Sequence, residues 1–317
     1  MRAVQISRPE QVDVIDVPRP SAGEGEVLVS MERLSICGSD MRYYRSPNPD
    51  DFPMPPAYPF HECAGTVVES REKKFDVGDR VIVLTPDRKG GADYVAARPE
   101  RLVKVPGDRD LSIWLMAQPL GTVLYPCQSL NVLGRSVVVL GQGPIGLTFT
   151  QILAGMRPLE LIAVDVLDYR LEVARELGAT VVVNSARDDI RDVVRSLTHG
   201  TGADVVIESA GRVETINAAL DAVRFRGTVS SFGQPVTDPI SFNYKVFSRK
   251  EINLFPTITH ARPDLTEGVA LGVELIAKGI IDPAWMVTHR LPFEDVAKAF
   301  EIYATQADNS LKVVIDV

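Results

Sequence analysis

Between Ser136 and Met156 the chain reads SVVVLGQGPIGLTFTQILAGM, and glycine spacing here limits the fold more than any other feature. Gly141, Gly143 and Gly146 make a G-x-G-x-x-G between an apolar run that reads as a strand and a segment that reads as a helix. The first glycine allows a sharp turn, the second lets backbone approach a pyrophosphate, and the third lets the helix pack on the strand. Pro144 and Ile145 fill the turn between the last two glycines, and the helix start behind them offers free N–H groups to phosphates. A glycine triplet alone is weak evidence, but nineteen residues after Gly146 the strand LIAVD ends in Asp165. An acidic side chain there accepts hydrogen bonds from the adenosine ribose hydroxyls. Asp165 also repels a 2′-phosphate, and the next cation is Arg170, so NAD is expected rather than NADP.

Around this turn, strands and helices alternate. Expected strands are Ser136–Leu140, Leu161–Val164, Thr180–Val183, Asp204–Glu208 and Gly227–Phe232, with helices through Ala154 and at Tyr169–Leu177, Ile190–Leu197 and Val213–Val223. Continuous apolar strands between amphipathic helices imply a doubly wound parallel sheet covered on both faces. Ser209, Gly211, Phe232 and Gly233 fall at strand ends, where such a sheet meets a dinucleotide. The first part of the chain reads as β-rich instead, with strands expected at Arg2–Ile6, Val12–Val17, Glu26–Ser30, Gly65–Glu69, Arg80–Leu84 and Ala92–Ala96. Six prolines between Ser46 and Pro59 exclude helix and central strand and imply a stiff loop. After about Pro263 come expected helices Leu265–Lys278 and Glu294–Ile302 and a last strand, Lys312–Val317. The expected organisation is α/β with two domains: a catalytic domain from 1–119 and 258–317, and a dinucleotide domain from 120–257.

A net charge of -8 argues against a nucleic-acid partner or an anionic membrane surface. Three scattered cysteines cannot form a disulfide framework and suit a reducing compartment. The N-terminal MRAVQISRPEQ has no apolar core of a signal peptide, so a cytoplasmic location is expected.

With only four His and three Cys, metal chemistry has few candidates. Two stretches supply them: LSICGSDMRYY, with Cys37, Ser39 and Asp40, and YPFHECAG, with His61 and Glu62. Taken singly, a Cys beside Gly is more often a small buried hydrophobe and a His-Glu pair an edge contact; together they offer borderline-soft ligands suited to zinc. Together with GDRV (Gly78–Val81), a Gly-Gly turn, the glycine motif and the late VTHRLPFEDVAKAF, these stretches resemble the zinc-containing medium-chain dehydrogenase/reductase superfamily. The sorbitol-type and glucose dehydrogenases are closest in style. The resemblance implies a GroES-like β-rich catalytic domain joined to a Rossmann domain. It implies one catalytic zinc on Cys37 and His61, with the third ligand position falling on Gln118 in MAQPLGTVLY, where many relatives carry Glu. Either zinc is kept, with Gln118 as a weak oxygen ligand and Glu62 drawn in, or the site is that of a zinc-free or retired enzyme. The four-cysteine lobe of a structural zinc is missing, since IVLTPDRKGGADYV has no Cys.

The resemblance further implies reversible hydride transfer between a secondary alcohol and NAD, with Ser39 bonding the alcohol oxygen. Where relatives often place a final proton acceptor, this chain has Arg42, which stays charged, leaving water, Glu62 or Tyr43 as exits. Thr122 matches a position near the nicotinamide, and Lys312 a cation facing the pyrophosphate, or else a solvated lysine. Arg42, Tyr43, Asp50, Asp51 and Glu62 suggest a polar substrate, such as a polyol, sugar or cyclitol. A homodimer or homotetramer is expected by family habit, with the strand around Glu251–Phe255 pairing between copies. Competing readings are a zinc-independent NAD(P)H quinone-type reductase and a non-catalytic dinucleotide-binding protein.

Overall fold

The computed structural model describes residues 1–235, 239–257 and 265–317. The chain divides into two compact units, Thr122–Leu265 and a discontinuous one made of Met1–Gly121 with Thr266–Val317.

The continuous unit holds six parallel strands in the spatial order Val181–Asn184, Glu160–Asp165, Ser136–Leu140, Ala203–Glu208, Val223–Ser231 and Asn253–Pro256. Every residue of Ser136–Leu140 is buried, as a central strand covered on both faces requires. The chain order reverses between Ser136–Leu140 and Ala203–Glu208, a switch point that opens a crevice at the carboxyl ends of these strands. The fifth strand begins four residues earlier than its apolar pattern suggests, directly after helix Val213–Ala222. Its pairing slips between Ala203/Val223 and Val205/Thr228, which accommodates the polar RFRG stretch. Asn253–Pro256 forms an edge of the sheet.

In the discontinuous unit the main sheet runs Val287–Pro292, Lys312–Asp316, Val27–Ser35, Glu62–Ser70, Arg80–Val83 and Leu102–Lys104, with Tyr94–Ala97 also on Val27–Ser35. Strands Arg2–Arg8 and Gln11–Asp16 form a separate hairpin pair. Val27–Ser35 outruns its expected length because a register shift between Met31 and Arg33 accommodates the charged Glu32-Arg33 pair. Glu32 then accepts from Thr66 Oγ1, and Arg33 Nε lies 3.1 Å from Asp316 Oδ1. Helix Ala117–Ser129, with Pro126 inside it, and the short strands Leu102–Lys104 and Val287–Pro292 carry little periodicity and were not expected from pattern. Among the described residues no helix is long and apolar enough to cross a membrane.

Candidate functional site

The register of one antiparallel pair assembles the metal candidates. Ser35 lies opposite Glu62 and Leu34 opposite Cys63, so Cys37, two residues beyond the end of its strand, comes level with His61. Asp40 then closes the turn after Cys37: its Oδ2 accepts from Cys37 N at 2.9 Å, and its own N–H donates to Cys37 O at 3.0 Å. Ligand atoms of Cys37, His61 and Glu62 all lie within 4.8 Å of one another, and among the described residues no other such group occurs. A thiol, an imidazole and a carboxylate this close fit a zinc ion. Gln118 is buried in the first turn of Ala117–Ser129. Cys63 and Cys127 do not belong to this group, and burial pushes both thiols up.

Glu62 and Lys312 depart from the roles the sequence suggested. Strand Lys312–Asp316 pairs with Val27–Ser35, and Ile36 N donates to Val313 O at 3.1 Å, which brings Lys312 inward beside Glu62. Its Nζ donates to both Glu62 oxygens at 2.5 and 2.6 Å, with both side chains 1% exposed. Burial opposes the charge on Lys312, but Glu62 and Cys37 outweigh it and hold the ammonium protonated well above the lysine range. Lys312 is thus not a solvated lysine but the buried counter-charge of Glu62. Glu62, with both oxygens engaged, offers no open proton exit.

Asp40 Oδ1 is 3.3 Å from His61 Nδ1. Burial disfavours the imidazolium, yet Asp40 and then Cys37 raise His61 to about 10. Asp40 itself, wholly buried, is held below the carboxylate range because His61 and Arg88 outweigh its desolvation. With Nδ1 donating to Asp40, Nε2 is the ring nitrogen that a metal would take in place of its proton.

Arg88, which no motif singled out, enters this cluster from the loop Thr85–Gly91. Its Nη2 donates to Ser39 Oγ at 2.7 Å and to Asp40 Oδ1 at 3.1 Å, and lies 3.0 Å from His61 Nδ1. The only sequence hint was its place beside the Gly90-Gly91 pair, where a Cβ on Gly90 would come within 2.2 Å of Cys63 Sγ. Tyr43 packs edge-on against Tyr58 with ring centres 4.8 Å apart, and the guanidinium carbons of Arg42 and Arg88 sit 4.9 and 5.4 Å from its ring. His199 lies at the surface of the continuous unit and His289 at that of the discontinuous one, and His260 lies outside the described residues.

In the other unit the glycine turn takes the shape its spacing demands. Gly141 has φ +88°, and a Cβ on Gly146 would sit 1.8 Å from Gly141 O. At Gly143 a Cβ would meet only Arg170 Nη1, at 3.9 Å. Packing therefore requires Gly146, whereas Gly143 opens onto space that a pyrophosphate could enter, in front of helix Pro144–Gly155 with Ile145 in its first turn. Asp165 ends its strand with Oδ2 accepting from Gln142 N at 2.6 Å and Oδ1 from Val166 N and Leu167 N at 2.8 and 3.0 Å. Arg170 Nη1 lies 3.7 Å from it. Ser209 Oγ is 2.9 Å from the carbonyls of both Leu140 and Gly141 and ties the turn to the neighbouring strand end. Gly211 has φ +68°, and Gly233 packs so closely on it that a Cβ would stand 2.2 Å from Gly211 N. Phe232 is turned onto Phe149, ring centres 5.3 Å apart, inside the sheet's helix layer. Thr122 is half-buried in helix Ala117–Ser129.

Comparison with known proteins agrees with both units. The alcohol dehydrogenase GroES-like domain profile matches residues 23–107, and the zinc-binding dehydrogenase profile matches residues 144–274. An L-threonine 3-dehydrogenase of Burkholderia vietnamiensis is 28% identical, with 98% of each chain covered. The sorbitol dehydrogenase of Bacillus subtilis is 25% identical over 99% of this chain and 97% of its own. A crystal structure of an Escherichia coli oxidoreductase/dehydrogenase of unknown specificity, involved in membrane biogenesis, superposes with a TM-score of 0.87 at 28% identity. It covers 100% of this chain and 99% of that one. With Cys37, His61 and Glu62 inside the first matched segment and the helix behind the glycine turn opening the second, the chain belongs to the zinc-containing medium-chain dehydrogenase/reductase superfamily of alcohol and polyol dehydrogenases.

Proposed function

We propose that this oxidoreductase transfers a hydride between a secondary alcohol of a small polar substrate and NAD, with one zinc ion held by Cys37 and His61. The convergence of Cys37, His61 and Glu62 within 4.8 Å carries the reading. A zinc ion held there would supply Lewis acidity toward the alcohol oxygen. The chain's own groups do the rest. Asp40 fixes the His61 ring by accepting its Nδ1 proton. Lys312 cancels the charge of Glu62, which leaves Cys37 as the anionic ligand whose charge a zinc ion would balance. Ser39 already accepts one hydrogen bond from Arg88, which leaves its own O–H for a substrate oxygen. With Glu62 closed by Lys312, and Arg42 and Arg88 unable to accept protons, the exit runs from Ser39 to water or through Tyr43. Gln118 is the neutral candidate for a further oxygen ligand.

Asp165 at its strand end favours NAD, since a 2′-phosphate there would meet a carboxylate. A second copy of the chain is the expected partner: Asn253–Pro256 is an edge strand, and Leu254 on it is 41% exposed. Metal analysis of freshly purified protein, run with an NAD and NADP reduction screen over polyols, sugars and amino alcohols, tests the reading. Near-stoichiometric zinc and loss of turnover in Cys37→Ala are expected. Full activity of metal-free protein, or of Cys37→Ala, would overturn it in favour of a zinc-independent reductase.

A further inference from the structure

The loop Thr85–Gly91 holds Arg88 in a conformation that a structural ion pair does not require. Asp87 and Arg88 have φ of +52° and +58°, a left-handed backbone that L side chains adopt at a cost and that concentrates at functional sites. The loop is clamped on both sides of them. Thr85 Oγ1 and Gly90 N donate to Phe60 O at 2.9 and 3.0 Å, and Gly91 N donates to Ala57 O at 2.8 Å. A Cβ on Gly91 would lie 2.5 Å from the Phe60 ring, so the clamp depends on glycine.

This clamp presents the guanidinium with only part of its donor set used. Among the described residues its hydrogen bonds leave from Nη2, to Ser39 Oγ and Asp40 Oδ1, with the protonated His61 Nδ1 alongside at 3.0 Å. Nε is buried with no acceptor among the described residues, an uncompensated donor of the sort that native structures rarely keep. The surrounding carboxylates cannot serve it. Asp40 is shared between Arg88 and His61, and Glu62 is taken by Lys312. Gln118 is neutral. Arg42 adds a further cation over the same Tyr43 ring. Once a divalent ion sits on Cys37 and His61, the cluster carries more positive than negative charge, and Arg88 touches the serine assigned to the alcohol oxygen.

We propose that Arg88 is a specificity-determining residue, and that the substrate carries a compact oxyanion, carboxylate or phosphate, close to its carbinol carbon. The proposal rests on the dehydrogenase reading for the carbinol, but not for the anion. A planar guanidinium binds either group through paired N–H donors, whereas a neutral polyol would leave them unmatched.

Titration calorimetry and NAD reduction on the zinc-loaded full chain test it with two matched sets: glycerol, glycerate and glycerol phosphate; sorbitol, gluconate and sorbitol phosphate. At least one anion should bind about tenfold or more tightly than its neutral counterpart, consistent with a charge-assisted pair, and the two anions in each set distinguish carboxylate from phosphate. In Arg88→Gln the anion-to-neutral ratio should fall toward unity, and Arg88→Lys should recover part of it. Zinc content and thermal melts accompany each variant; if Arg88→Gln does not fold, the wild-type ratio and Arg88→Lys decide. Failure of every anion to bind, equal binding of charged and neutral members, or an unchanged ratio in Arg88→Gln overturns the proposal. Turnover of neutral polyols with no Arg88 dependence would leave the dehydrogenase reading standing and remove this one. Arg88-dependent anion binding without any NAD reduction would do the reverse.

Discussion

Six consecutive residues, Gly141 to Gly146, make the dinucleotide turn, whereas the metal centre draws on Cys37, Ser39, His61, Glu62, Arg88 and Lys312. The first is shaped by absence: backbone passes where a Cβ would collide, and few side chains take part. The second is held by charge, with Lys312 inside a sheet pairing a carboxylate 250 residues earlier in the chain. A site made of backbone is written contiguously and tolerates no bulk. A site made of buried ions can be dispersed, provided each charge finds its partner.

Four substitutions would break or sharpen that contrast. Lys312→Met should do the most damage, about 3–5 kcal/mol by denaturant unfolding, because it strands Glu62 in the core. Adding Glu62→Gln should return much of that loss; a Lys312→Met protein as stable as wild type would mean that charge does not hold this half together. In the other half, Gly146→Ala should cost about 1–3 kcal/mol through overpacking against Gly141 O. Gly143→Ala should leave stability within about 0.5 kcal/mol and weaken NAD binding by calorimetry. Equal stability losses at the two glycines would contradict the assignment of one to packing and the other to ligand approach.

The smallest effect belongs to an exposed charge. Asp110, 41% exposed, caps helix Leu111–Leu115 through Ser112 N at 2.7 Å and meets Arg290 Nη1 at 3.0 Å. Burial works against its charge, but Ser112 and Arg290 together depress the carboxyl to about 2. A folded value below the unfolded one means the stabilisation is present above pH about 4 and is lost as pH falls toward 2. Solvent screening keeps it under about 1 kcal/mol. Asp110→Asn should therefore flatten the acid limb of a stability–pH profile between these values, and an unchanged limb would remove Asp110 as its source.

The same contrast explains what the sequence could reveal. The glycine turn, Asp165 and the alternating strands were legible because spacing and shape coincide within a few residues. Cys37, Ser39, His61 and Glu62 were legible as chemistry, because soft ligands are scarce in this chain. Lys312 could be named but not placed, since its partner follows from sheet register rather than from neighbours in sequence. Arg88 carried no pattern at all: a single arginine in TPDRKGG gains meaning only when two left-handed residues turn it inward. Helix Ala117–Ser129, short of periodicity and interrupted by Pro126, is defined by tertiary packing.

The Glu62–Lys312 pair also sets an order of biosynthesis. Cys37 and His61, followed by all of Thr122–Leu265, leave the ribosome before the strand bearing Lys312 exists. The intervening unit has the local strand–helix contacts to fold as it emerges. Until Lys312 arrives, Glu62 has no counter-charge and its sheet lacks the strand beside Val27–Ser35. In translation, the candidate metal centre is thus begun before the intervening unit is written and completed only after it.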